Sequence, residues 1–122
     1  MARNIIDLPT LGDDGRLYRD TALDLVESLI PNPWESCHAP DLLELENGDL
    51  LCCWFAGSRE GNADISIAVA RVPADAEQWE QPVIVSDDPT RSEQNPSLFQ
   101  NPNGDIWLMY TCLLYTSPSP RD

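Results

Sequence analysis

The stretch PDLLELENGDLLCCW (residues 40–54) is matched by PSLFQNPNGDIWLMY (residues 96–110) at a constant shift of 56 positions. Pro40 falls on Pro96, Leu42 on Leu98, Asn47-Gly48-Asp49 on Asn103-Gly104-Asp105, and Trp54 on Tyr110. Each copy holds two apolar runs around an Asn-Gly pair. That arrangement is the strongest short signal for a β-hairpin, because a tight turn needs residues that accept positive φ. Two such hairpins at a fixed spacing mean one supersecondary unit used twice. The alternative, two unrelated Asn-Gly hairpins, leaves the matched prolines and aromatics as coincidence.

Two further strands are expected between the hairpins, DISIAVARV (64–72) and PVIVS (82–86). Ile65, Ile67 and Val69 alternate with Ser66, Ala68 and Ala70, the period of a strand. No stretch after residue 35 keeps a helical period for three turns, so the fold class is all-β. The order hairpin, third strand, fourth strand, next hairpin gives four strands per repeat, the signature of a β-propeller blade. The expected architecture is the first blade and half of the second of a β-propeller. Such a piece cannot close a ring and leaves sheet faces and edges uncovered, so partial folding or insolubility is expected of it alone.

Residues 1–35 form an N-terminal segment, a candidate for a ring-closing strand. Within it ALDLVESLIPNPW reads as a strand or as a short helix ending at Pro31. Residues 36–111 form the partial propeller domain. The last eleven residues, CLLYTSPSPRD (112–122), resemble translated sequencing-adapter DNA and are set aside, so the natural chain is expected to continue past Thr111.

Charge narrows the partners. With 21 acidic residues against 7 basic ones and a net charge of −14, the surface repels phosphate backbones, and nucleic acid is not expected as a partner. No apolar run approaches the roughly 20 residues of a membrane span. The start MARNIIDLPTLGDDG has no apolar core after Arg3, so no signal peptide is evident and a cytoplasmic location is the default. The four cysteines lack metal-ligand spacing, and no metal or cofactor is expected. Cys52 and Cys53, adjacent in a strand, should point to opposite faces as small buried apolar residues. Cys37 and His38 are likewise adjacent in an extended chain, which argues against a thiol–imidazole catalytic pair.

The combination CHAP…GDLLCCWFAGSREGNADISIAVAR…W…QNPSLFQ…GDIWLMYT resembles the sialidase superfamily, specifically its BNR/Asp-box branch of sialidase-like β-propellers, over about residues 35–111. Asp75 with Trp79 in ARVPADAEQWEQP is similar to the Asp-box turn, without its glycine and threonine; Trp79 is expected to pack between blades. In sialidases a Phe-Arg-Ile-Pro motif supplies a carboxylate-binding arginine, and a later arginine is followed five positions on by an acid/base aspartate. Arg59 and Asp64 keep that spacing, and Pro40 matches the proline. His38 then stands where the carboxylate-binding arginine would be. Asn95-Pro96 resembles the Asn-Pro opening a second-blade strand beside the site, and Gln94 is the repeat equivalent of His38.

The resemblance implies a six-bladed β-propeller and a glycan-active protein, an exo-glycosidase hydrolysing an acidic terminal sugar, with Asp64 and His38 as catalytic candidates. Arg59, Glu60, Gln94 and Asn95 are the substrate-binding candidates. The residue chemistry fits in part. Glycosidic cleavage needs a carboxyl of raised pKa, and Asp64 at the start of a buried-looking strand would be dehydrated. Arg59 suits bidentate contact with an anionic sugar. Gly57 and Gly61 allow a tight turn and close approach of a ligand to the backbone.

Other readings stay open. Arg59, Glu60 and Asp64 could form a loop salt bridge at a blade rim, and His38 could be a core or capping histidine. Ser36-Cys37-His38-Ala39 is similar to the start of rhamnose–glucuronate lyases, in which a histidine would abstract a proton beside a uronate carboxylate. A non-catalytic glycan-binding or interaction propeller is the remaining class. The partial propeller alone is expected to be inactive, since the other arginines and the nucleophile of a sialidase would lie beyond Thr111.

Overall fold

The computed structural model describes residues 5–7, 14–59, 62–86, 88 and 90–112. These form nine strands and no helix, arranged in three sheets. The central sheet runs β4 (Ser36–Glu44), β5 (Leu50–Gly57), β6 (Ser66–Val72) and β7 (Val83–Ile84) in sequence order, all antiparallel. It is the four-stranded blade the repeat implied. A second hairpin, β8 (Glu93–Gln100) with β9 (Ile106–Cys112), supplies the first half of the next blade. The N-terminal segment makes a small sheet of β1 (Ile6–Asp7), β2 (Tyr18–Asp20) and β3 (Leu25–Glu27), with β1 parallel to β2. ALDLVESLIPNPW is therefore extended at Leu25–Glu27 and does not form a helix.

The two hairpins are the same object to the level of single hydrogen bonds. His38 pairs with Phe55 and Asp41 with Cys53, so Ala39 and Pro40 together oppose Trp54 alone. Gln94 pairs with Thr111 and Ser97 with Met109, placing the bulge at the equivalent point of the second copy. Ala39 has φ 56° and its equivalent Asn95 φ 55°, the left-handed conformation that lets one extra residue fit into a strand. The bulge also hosts Pro40 and Pro96, which cannot donate to a ladder and are tolerated at such points. The matched stretches read from the sequence open at Pro40 and Pro96. The bulge instead carries the strands back to Ser36 and Glu93.

Both turns close identically. Leu45 N donates to Asp49 O and Gly48 N to Leu45 O, while Asn101 N donates to Asp105 O and Gly104 N to Asn101 O, all within 2.8–2.9 Å. Gly48 and Gly104 have φ +95° and +96°. A Cβ on Gly48 would sit 3.1 Å from the Ala74 Cβ, whereas one on Gly104 would meet nothing within 4 Å. Gly104→Ala is expected to cost about 1–2 kcal/mol from backbone strain alone. Gly48→Ala should cost more, and the difference in denaturant midpoints between the two variants isolates the Ala74 contact.

Strand β5 is buried on both faces from Leu51 to Gly57. One face, with Cys52, Trp54, Ala56, Ala68, Ala70 and Val72, packs against Leu17 and Trp79, with Ile5, Ile30 and Trp34 at its border. The other, with Leu51, Cys53, Phe55 and Ile67, packs against Leu98 and Leu108 of the second hairpin. Cys52 and Cys53 thus point to opposite faces, as a strand requires. Trp79 is buried as expected, but it lies over its own blade and is tied to the N-terminal segment, its backbone N–H donating to Gly15 O at 2.8 Å. The inter-blade seam is stitched by the Asp41 carboxylate, which accepts from Leu98 N at 2.8 Å, and by Gln100 Oε1, which accepts from Glu46 N at 2.9 Å.

Beside the first turn, the Asp49 carboxylate accepts from the Arg71 guanidinium and, at 2.7 Å, from Ala74 N. The Arg71 hydrogen bonds hold its pKa below the usual carboxylate value, against an opposing effect of desolvation. A lowered folded-state pKa contributes stability that is complete above the unfolded value, about 3.9, and is lost as pH falls through the folded value. Melting temperature followed from pH 6 down to pH 2 should therefore fall less steeply in Asp49→Asn than in the parent chain.

Candidate functional site

The ends of the strands bring most of the sequence candidates to one side of the molecule. Ser36 at the start of β4 pairs with Gly57 at the end of β5, and the loop that leaves Gly57 returns at Ile65 to begin β6. Glu93 N, at the start of β8, donates to Ile65 O at 3.0 Å. The start of each inner strand and the 58–64 loop therefore meet at one rim. His38 and Gln94 occupy the same register position in successive hairpins, so the equivalence expected from the repeat holds.

The loop is shaped by its own backbone. Asn62 N donates to Arg59 O and Ile65 N to Asn62 O, both at 3.0 Å, and Asn62 Nδ2 reaches Ser58 Oγ at 3.0 Å. Gly57 is needed for this closure: a Cβ there would lie 2.8 Å from Asp64 O and 2.8 Å from Ile65 Cδ1. Its role is to let the loop's two ends pass, the tight turn expected of it. Glu60 and Gly61 lie outside the described residues, as do positions 113–122 of the terminal stretch.

Arg59 and Asp64 are both exposed, and Asp64 precedes the buried Ile65 without sharing its enclosure. The dehydration expected for Asp64 is not supplied by the described residues. Among those residues the ion pairs are Arg71–Asp49 and Arg91–Asp88, so no salt bridge joins Arg59 to Asp64. Asp64 borders an open cleft of about 460 Å³ with Trp34, Glu35 and Ser58.

His38 is exposed, its ring tilted over Phe55 at 5.3 Å, with Nε2 3.1 Å from Ser36 Oγ. It borders a different, apolar cleft of about 270 Å³ with Ile30, Cys52 and Trp54. The two catalytic candidates therefore open onto neighbouring clefts. Trp34 borders one and Trp54 the other, and the two indoles meet edge to face at 6.4 Å. Gln94 is buried, its side-chain amide donating to Ser92 Oγ at 2.9 Å, and its backbone carbonyl accepts from Thr111 Oγ1 at 3.1 Å. Asn95 is exposed in its left-handed bulge.

Two residues at this rim were not singled out from the sequence. Trp34 reads there only as an aromatic near a proline. Glu93 is 1% exposed, with one carboxyl oxygen 3.3 Å from Asp88 N and the other without a hydrogen-bond partner. Its burial follows from β8 pressing against the 65–67 stretch, a long-range contact that no local pattern announces.

The cysteines separate as expected. Cys37 Sγ accepts from Asn32 Nδ2 at 3.1 Å and does not engage His38. Burial pushes the Cys52 thiol up to about 11 and the Cys53 thiol up to about 12, with the Asp41 carboxylate adding to both. Thiolate is the reactive form, so a maleimide at pH 8 should label the exposed Cys37 and Cys112 rapidly and leave Cys52 and Cys53 unmodified until unfolding. Peptide mass spectrometry reads the order directly.

A four-stranded antiparallel blade, its first hairpin repeated with the same bulge and turn and with polar residues gathered at one rim, defines a β-propeller-type blade repeat. The chain belongs to the BNR repeat-like domain family, whose profile matches residues 48–116, more than half of the 122. Membership agrees with the sialidase-type superfamily resemblance. Comparison with curated proteins and with solved structures returns no match for either.

Proposed function

We propose that the protein is a sialidase-like, glycan-active propeller that hydrolyses a glycosidic bond at an acidic terminal sugar. The observation that carries this reading is the meeting of the 58–64 loop with the starts of β4 and β8 at one rim. In this reading Asp64 acts as the proton donor and Arg59 binds the sugar carboxylate. Asn95 lines the rim, and Gln94 supports it from beneath. Because Asp64 is exposed here, the enclosure that a proton donor needs must come from bound substrate or further protein closing over the cleft. An Arg on an otherwise acidic surface offers a local attraction for anionic sugars.

A second reading rests on His38, whose exposed imidazole is steadied by Phe55 and lies beside the apolar cleft. A uronate lyase would use such a ring as the base.

The test is turnover of sialosides and rhamnosyl-glucuronides by the full-length protein and its Asp64→Asn and His38→Ala variants. General acid–base catalysis contributes about 10²–10⁴-fold, so Asp64→Asn should lower kcat by at least 100-fold on the sialoside. Undiminished turnover by Asp64→Asn would remove Asp64 from the chemistry. Elimination products lost in His38→Ala would select the lyase, and saccharide binding without turnover would select a binding module.

A further inference from the structure

The cleft beside Asp64 has a floor that the hydrolase reading does not use. Trp34 is half-buried: its inner side joins the cluster of Leu17, Cys52 and Trp54, where it meets the Trp54 ring edge to face at an interplanar angle of 66°. Another part of its surface borders the cleft. A ring clamped from behind loses little conformational freedom when a ligand stacks on it. Pro33, with its fixed φ, stiffens the approach to it.

The chemistry of the walls selects the ligand. The C–H face of a pyranose is apolar and slightly positive, which suits the negative face of an indole. Glu35 and Asp64 stand at the border as hydrogen-bond acceptors for hydroxyl groups, and Ser58 Oγ faces the same space. Two carboxylates repel a third, so an anionic sugar is disfavoured at this point. The volume of about 460 Å³ lies within the range of small-molecule sites, about 300–1,000 Å³.

We propose that the cleft formed by Trp34, Glu35, Ser58 and Asp64 is a subsite for a neutral pyranose, with Trp34 as its stacking platform. This rests on the proposed glycan activity and extends it: the acidic sugar sits toward Arg59, and a neutral sugar on the other side of the scissile bond sits on Trp34. Asp64 lies between them, as a proton donor to the bridging oxygen must.

The experiment has two arms on the same protein. In the first, methyl galactoside, methyl glucoside, methyl rhamnoside and glucuronic acid are titrated against tryptophan fluorescence and ligand-observed NMR. At least one neutral glycoside should bind more tightly than glucuronic acid. Trp34→Ala should weaken that binding at least tenfold, Trp34→Phe should hold it within about threefold, and Glu35→Gln should improve glucuronic acid. In the second arm, KM and kcat are measured on an acidic sugar linked to a neutral one, where Trp34→Ala should raise KM. Neutral binding unchanged in Trp34→Ala, or none by the parent protein, overturns the subsite. Turnover that persists with Trp34→Ala kinetics unchanged sinks the subsite and leaves the hydrolase standing. Absence of turnover with Trp34-dependent neutral binding does the reverse.

Discussion

Strand β5 is wrapped on both sides, and the rest of the structure follows from the need to cover it. Seven consecutive residues, Leu51 to Gly57, are buried, so neither face of the central sheet can be left to water. Apolar area removed from water on both sides is the main stabilising term for such a strand, about 25 cal/mol per Å². The N-terminal segment and the Trp79 loop meet one side; the second hairpin meets the other. Each cover is then fastened by polar contacts that would be costly to break once desolvated, Trp79 to Gly15 on one side and Asp41 to Leu98 on the other.

The second hairpin shows what the same pattern does without a full set of neighbours. Phe99 and Trp107 stack at 5.7 Å on a face where Trp107 and Met109 remain about half exposed. Their counterparts in the first blade include Leu43 and Leu51, which belong to the cluster capped by Leu98. Equivalent sequence thus gives equivalent backbone, while burial depends on what packs next to it.

Much of the fold was legible because the repeat and the alternation of side chains are local signals. The hairpins, the third and fourth strands, the opposed cysteines and the buried Trp79 all follow from period-two patterning and turn chemistry. The bulge was hidden because proline reads as a boundary and alanine carries no mark of left-handed φ; only Asn95 does. The short sheet at Tyr18–Asp20 and Leu25–Glu27 was ambiguous because its stability comes from docking on a blade distant in sequence. The candidate site was legible as membership of one rim, since register fixes which strand ends coincide. Its surroundings were not: the exposure of Asp64, the separate cleft of His38 and the burial of Glu93 all depend on contacts across the chain.

The pair Cys52-Cys53 has a consequence for how the protein opens. One sulfur is sealed by the N-terminal segment and Trp79, its neighbour by the second hairpin, so two adjacent atoms of one strand watch opposite walls. Whichever thiol first meets solvent tells which wall peels away first. The strand at the centre of the blade thereby carries its own two-channel recorder of the order in which the layers come apart.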